Sequence, residues 1–116
     1  MAFAMKRITT HILDLNGGKP ASDVPVRLER QEGERWLPLH SARTDHDGRC
    51  WQLLPGEDLP PGLYRLIFET ESYFQRLQIA SFYPFVEITF HVREGDSQLH
   101  IPLLLNANGY TTYRGS

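Results

Sequence analysis

The sequence predicts an all-β domain, a sandwich or a barrel, carrying one short helix. Apolar residues recur at every second position in stretch after stretch, the period of strands with one face on a core. Turn signals built on glycine, proline, asparagine and aspartate separate these stretches at short intervals. A single segment changes to helical spacing.

Strands are expected near residues 6–14, 23–31, 34–43, 49–53, 62–69, 84–94, 98–106 and 109–115. In the first, Ile8 and Ile12 share one face while Thr9, His11 and Leu13 share the other. Asn16-Gly17-Gly18-Lys19-Pro20 is the strongest turn signal. Val24, Val26 and Leu28 then alternate with Pro25, Arg27 and Glu29. Pro25 and Pro38 have no N–H to give a ladder, so the strands holding them read as edges, at least locally. The turn Asp45-His46-Asp47-Gly48 leads into the strand near 49–53, and Pro60-Pro61-Gly62 into Tyr64, Leu66 and Phe68. From Thr70 to Ile79, the residues Tyr73, Phe74 and Leu77 fall at helical spacing. Ser72 with Gln75 fits a capping box there, with Thr70 as an alternative N-cap. Val86, Ile88, Phe90 and Val92 form the next alternation, and Leu99, Ile101, Leu103 and Leu105 the one after. Asn108-Gly109 reads as the hairpin turn before the last strand.

Composition narrows the function. The 116 residues suit one domain spanning 1–116. Twelve Lys and Arg against fourteen Asp and Glu give a net charge of −2, without the basic excess that phosphate binding leaves. A lone cysteine, Cys50, excludes an intrachain disulfide and a cysteine zinc site. No apolar run approaches the roughly 20 residues of a membrane helix. Met1 to Arg7 contains no apolar stretch after its charges, so no leader is read and the expected compartment is the cytoplasm.

Five histidines are available for chemistry: His11, His40, His46, His91 and His100. His46 sits in a turn, and His40 and His91 suit solvent-facing strand positions. No pair has the helical spacing of a zinc protease, and no carboxylate cluster accompanies them, so no metal site is expected. His100 lies on the face opposite Leu99, Ile101, Leu103 and Leu105, beside Pro102 and Leu104. An outer face that apolar suggests a covering surface, and by periodicity alone His100 is a histidine at a subunit interface. Alone, His11 is a structural or solvated residue and Arg49 a surface residue after a turn. No serine sits in a nucleophile elbow and no glycine loop suits phosphate. The residues by themselves stop at a β fold with an unusual outer face.

Four segments resemble the transthyretin-related proteins. Thr10-His11-Ile12-Leu13-Asp14 followed by Gly18-Lys19-Pro20-Ala21 resembles their N-terminal signature. Thr44-Asp45-His46-Asp47-Gly48-Arg49 resembles their central loop, and Phe82-Tyr83-Pro84-Phe85-Val86-Glu87-Ile88 a further block. The run from His100-Ile101-Pro102-Leu103-Leu104-Leu105 through Gly109 to Tyr113-Arg114-Gly115-Ser116 resembles the C-terminal signature. The closing Tyr-Arg-Gly-Ser, with His11, Arg49 and His100, matches the 5-hydroxyisourate hydrolases within that family rather than the hormone-carrying transthyretins. Two departures stand out: Gln98 occupies a position that is usually histidine, and Asn106-Ala107-Asn108 replaces Ser-Pro-Tyr.

The resemblance implies a transthyretin-like sandwich of two four-stranded sheets with one short helix. It implies a homotetramer, a dimer of dimers with active sites in a channel between the dimers. It implies hydrolysis of 5-hydroxyisourate to 2-oxo-4-hydroxy-4-carboxy-5-ureidoimidazoline by a histidine-activated water, with no covalent intermediate, cofactor or metal. His11, Arg49, His100 and Ser116 would be catalytic, and Tyr113, Arg114 and Gly115 would join them in binding substrate. Two other roles fit such a fold: a carrier of small aromatic ligands, and an adhesive module. The first needs none of the retained polar residues, and the second predicts a monomer.

Overall fold

The computed structural model describes residues 6–116. Met1–Met5, part of the stretch on which the reading of a leader rests, lie outside the described residues. Among the described residues, β1 (Arg7–Asp14), β2 (Lys19–Pro20), β3 (Pro25–Glu32), β4 (Arg35–Arg43), β5 (Arg49–Cys50), β6 (Gly62–Phe68), α1 (Thr70–Arg76), β7 (Val86–Val92), β8 (Gln98–Asn106) and β9 (Gly109–Thr112) follow in order.

Two sheets result. One has the order β4-β3-β6-β7, all antiparallel. The other runs β2-β1-β8-β9, and the two-residue β5 pairs with the same edge of β1 that β2 uses. β1 and β8 are parallel and in register from Arg7–Gln98 to Asp14–Leu105. Thr10 fastens this pair by donating its hydroxyl to the Ile101 carbonyl at 2.6 Å. The inward side chains of both sheets, among them Ile8, Ile12, Val26, Leu28, Tyr64, Leu66, Phe68 and Leu103, form one buried cluster. Alternation along β1 is strict: Ile8, Thr10, Ile12 and Asp14 are buried, whereas Arg7, Thr9, His11 and Leu13 are half-buried on the outward face. No helix among the described residues is long and apolar enough to cross a membrane.

The structure corrects four expectations. Pro38 lies in the edge strand β4, beside a bulge that skips Leu39, but β3 is an inner strand. Pro25 is tolerated in β3 because it is the strand's first residue and pairs only with β4. No capping box forms at α1. Its N-cap is Glu69, without a side-chain cap bond, while Ser72 bonds back to the Glu69 carbonyl and Gln75 to Glu71. The helix buries Tyr73 and Phe74 but leaves Leu77 exposed beyond its end. The strand expected at 49–53 shrinks to Arg49–Cys50, the residues in register with His11 and Thr10, and only a single bond from Leu53 N–H to the Ile8 carbonyl at 2.8 Å continues the contact. Tyr73 donates its hydroxyl to the buried Asp14 carboxylate at 2.6 Å, tying α1 to β1.

Candidate active site

The outward face of β1, β5 and β8 gathers His11, Arg49 and His100. The pairing makes Arg49 the cross-strand partner of His11, and Thr9 the partner of His100. Thr9 Oγ1 lies 2.7 Å from His100 Nδ1, which fixes the ring and leaves Nε2 for other chemistry. Burial and the charge of Arg49 both hold the His11 imidazole below the ordinary histidine pKa. Burial, then Arg49, then His11 do the same for His100. Both shifts favour the neutral ring, the form that can accept a proton.

Arg49 is aimed by the turn that precedes it. Asp45 Oδ1 accepts the backbone N–H groups of Asp47 at 2.9 Å and Arg49 at 3.0 Å. Its Oδ2 accepts Trp51 Nε1–H at 3.0 Å. Trp51 in turn stacks on the Arg49 guanidinium, 5.1 Å from carbon to ring centroid. Gly48 closes the turn at φ +75°, and a Cβ there would sit 2.5 Å from the Ile12 carbonyl oxygen. Only glycine fits, because the turn presses against β1. Asp45, His46 and Asp47 bring possible metal ligands together, but the Asp45 carboxylate is engaged in stapling this turn.

The C-terminal segment folds back over His100. Gly115 N–H donates to the His100 carbonyl at 2.8 Å and forms an isolated bridge with it. A Cβ on Gly115 would meet His100 Cδ2 at 2.6 Å. Next to this contact is a cavity of about 300 Å³ whose wall includes Thr9, Arg49, Trp51, His100 and Ser116. Cys50 also reaches it, but burial and the Asp45 charge push its thiol up to about 11, so it is no nucleophile at neutral pH.

The predicted residues are thus only partly gathered. Arg49, His100 and Ser116 share this cavity, while His11 flanks it beside Arg49. Tyr113 and Arg114 line a second hollow of about 230 Å³, shared with the other side of His100 and with Ile88 and Phe90 of β7. Arg114 also reaches Asp96 at 3.4 Å. His40, His46 and His91 are exposed, as their positions predict. Sequence reasoning missed Arg7, Thr9, Asp45 and Trp51. Arg7 and Thr9 carry a usable signal, since they share the outward parity of His11. The roles of Asp45 and Trp51 depend on turn geometry, which periodicity does not reveal.

This arrangement defines a transthyretin-like sandwich with a polar, histidine- and arginine-bearing site on one outward sheet face. Residues 8–115 match the HIUase/Transthyretin family, and the chain belongs to that family. It is 42% identical to a 5-hydroxyisourate hydrolase of Mus musculus, with all of both chains covered. The structure of Klebsiella pneumoniae 5-hydroxyisourate hydrolase superposes with TM-score 0.84 at 37% identity, covering 97% of this chain and 100% of that one. Sea bream transthyretin in complex with thyroxine superposes at 0.87 with 27% identity, covering 93% of each chain. The backbone is common to both kinds of protein, so the outward side chains must separate them.

Proposed function

We propose that the protein hydrolyses 5-hydroxyisourate, opening a ring N–C bond by attack of water on a ring carbonyl. The observation that carries this reading is the grouping of His11 and His100 with Arg49 on one half-buried face. A neutral imidazole removes a proton from water as its oxygen bonds to the carbonyl carbon. Arg49, always charged and supported by Trp51, binds the substrate oxygens and stabilises the developing oxyanion. The C–N bond then breaks, and the nitrogen takes a proton from the imidazolium just formed. His11 and His100 are the two candidates for this base. Ser116 lies within reach of substrate in the same cavity. Tyr113 and Arg114 hold the tail that sets Gly115 against His100. The product is 2-oxo-4-hydroxy-4-carboxy-5-ureidoimidazoline, and the chemistry requires no metal, cofactor or covalent intermediate. The open cavity is closed by a second pair of subunits in a homotetramer, a dimer of dimers, acting in the cytoplasm.

A carrier role is less well supported, because an apolar ligand has no use for two histidines and an arginine. The test generates 5-hydroxyisourate in situ with urate oxidase and follows the decay of its ultraviolet absorbance. Acceleration by the protein, lost in His11→Asn and His100→Asn and on deletion of residues 113–116, is expected. A decay no faster than the spontaneous one refutes the proposal.

A further inference from the structure

The outward face of β1 carries one charged residue besides the histidine. Arg7, Thr9 and His11 alternate with buried neighbours, so their Cα atoms step along the strand by about 6.7 Å each. Arg7 pairs with Gln98 and Thr9 with His100, which puts Arg7 one step beyond the Thr9–His100 contact, on the side away from Arg49. Arg7 lines the 300 Å³ cavity together with Arg49 and His100, and no acidic side chain of the described residues lines it.

Its guanidinium is incompletely satisfied. Arg7 Nε is buried and has no hydrogen-bond partner among the described residues. A buried donor without an acceptor is costly, and Nε itself is shut off from the cavity. The atoms that can meet a ligand there are the terminal nitrogens, which make no hydrogen bond or ion pair with the described residues. A guanidinium is suited to this, since its planar fork matches carbonyl and carboxylate oxygens.

We propose that Arg7 is a substrate-binding residue, a second guanidinium that holds the oxygens of the ring at the end of the cavity opposite Arg49. The inference rests on the hydrolase reading for its substrate, an oxygen-rich planar heterocycle. Arg49 meets the carbonyl where charge develops, and Arg7 grips the far side, whose charge does not change during reaction. Its contribution is therefore equal in ground and transition states, and its loss raises KM with little effect on kcat.

Two variants, Arg7→Met and Arg7→Lys, test this in the urate oxidase-coupled assay. Binding of urate, a planar probe related to the substrate, is measured in parallel by calorimetry. Arg7→Met is expected to raise KM about 10-fold and weaken urate binding comparably, with kcat within about threefold. Arg7→Lys keeps the charge but not the fork, and falls between; it carries the test should the methionine variant misfold. An active parent whose KM and urate affinity are unchanged within twofold in both variants overturns the role of Arg7 and leaves the hydrolase reading intact. A fall in kcat at unchanged KM also overturns it, since that marks a positioning residue. An inactive parent that binds urate through Arg7 sinks the hydrolase reading but keeps the binding residue.

Discussion

Replacing Gly115 by alanine isolates the contact between the C-terminal segment and His100. The backbone of Gly115 is not in the left-handed region, so alanine adds no conformational strain and the effect is steric. The new methyl carbon would lie 2.6 Å from His100 Cδ2 and 3.2 Å from its Cγ and carbonyl oxygen. Ordinary carbon contacts lie at about 3.5–4.0 Å, so the imidazole or the tail must move by roughly 1 Å. Either movement disturbs the site. A shifted ring loses the 2.7 Å contact to Thr9, and a displaced tail carries Ser116 out of the cavity. Misplacement of this size costs about 100-fold in rate, close to 2.7 kcal/mol of transition-state stabilisation. Because Gly115 lies outside the buried core, the thermal midpoint should barely fall. Gly109→Ala is the control: its Cβ would meet only Asn106 Oδ1 at 3.8 Å, an ordinary contact, and activity should be unaffected. The readouts are kcat/KM from the decay of 5-hydroxyisourate and the imidazole resonance of His100. An alanine variant within threefold of the parent, with that resonance unmoved, would show that the tail does not position the histidine.

Further predictions concern protonation and the turn. Both site histidines sit below the ordinary value of 6.5, so kcat/KM should stay level from pH 7 downward and fall only below pH 6.5. The same sign governs stability: the unfolded chain binds protons first, so the histidine contribution is full above pH 6.5 and is lost as pH falls through the folded values. Arg49→Met removes a charge that disfavours imidazolium, and NMR titration should show both midpoints moving up; unmoved midpoints would exclude that coupling. Gly48→Ala forces a side chain at φ +75° against the Ile12 carbonyl, and should cost about 3 kcal/mol or more in urea unfolding. A loss below 1 kcal/mol would mean that the turn can lift away from β1.

Most strands were legible because burial on one face imposes a period of two, as from Val86 to Val92 and from Leu99 to Leu105. The two-residue β2 was not, since no period can be read from Lys19 and Pro20; it exists because Leu13 and Asp14 offer partners. The position of β3 inside its sheet was obscured by Pro25, whose missing N–H matters only if both neighbours need it. In the site, parity gave the outward direction of His11 and His100 but not their proximity. That comes from the parallel pairing of β1 with β8, a long-range contact with no local trace. The pinning of Arg49 by Asp45 and Trp51 was hidden for a similar reason: it is made of hydrogen bonds and ring stacking within one turn, not of a pattern.

The strict alternation along β1 has an evolutionary consequence. Ile8, Thr10, Ile12 and Asp14 answer to the core, whereas Arg7, Thr9, His11 and Leu13 answer to whatever occupies the outer face. Folding and chemistry are thus written on alternate letters of one strand, and selection can revise one text without smudging the other. A lineage could exchange a water-activating surface for a ligand-holding one through outward positions alone, with every intermediate still folded. The burden falls on the few residues that belong to both texts. Gly48 is of that kind, since it is small so that the turn that aims Arg49 can lie flush against the sheet.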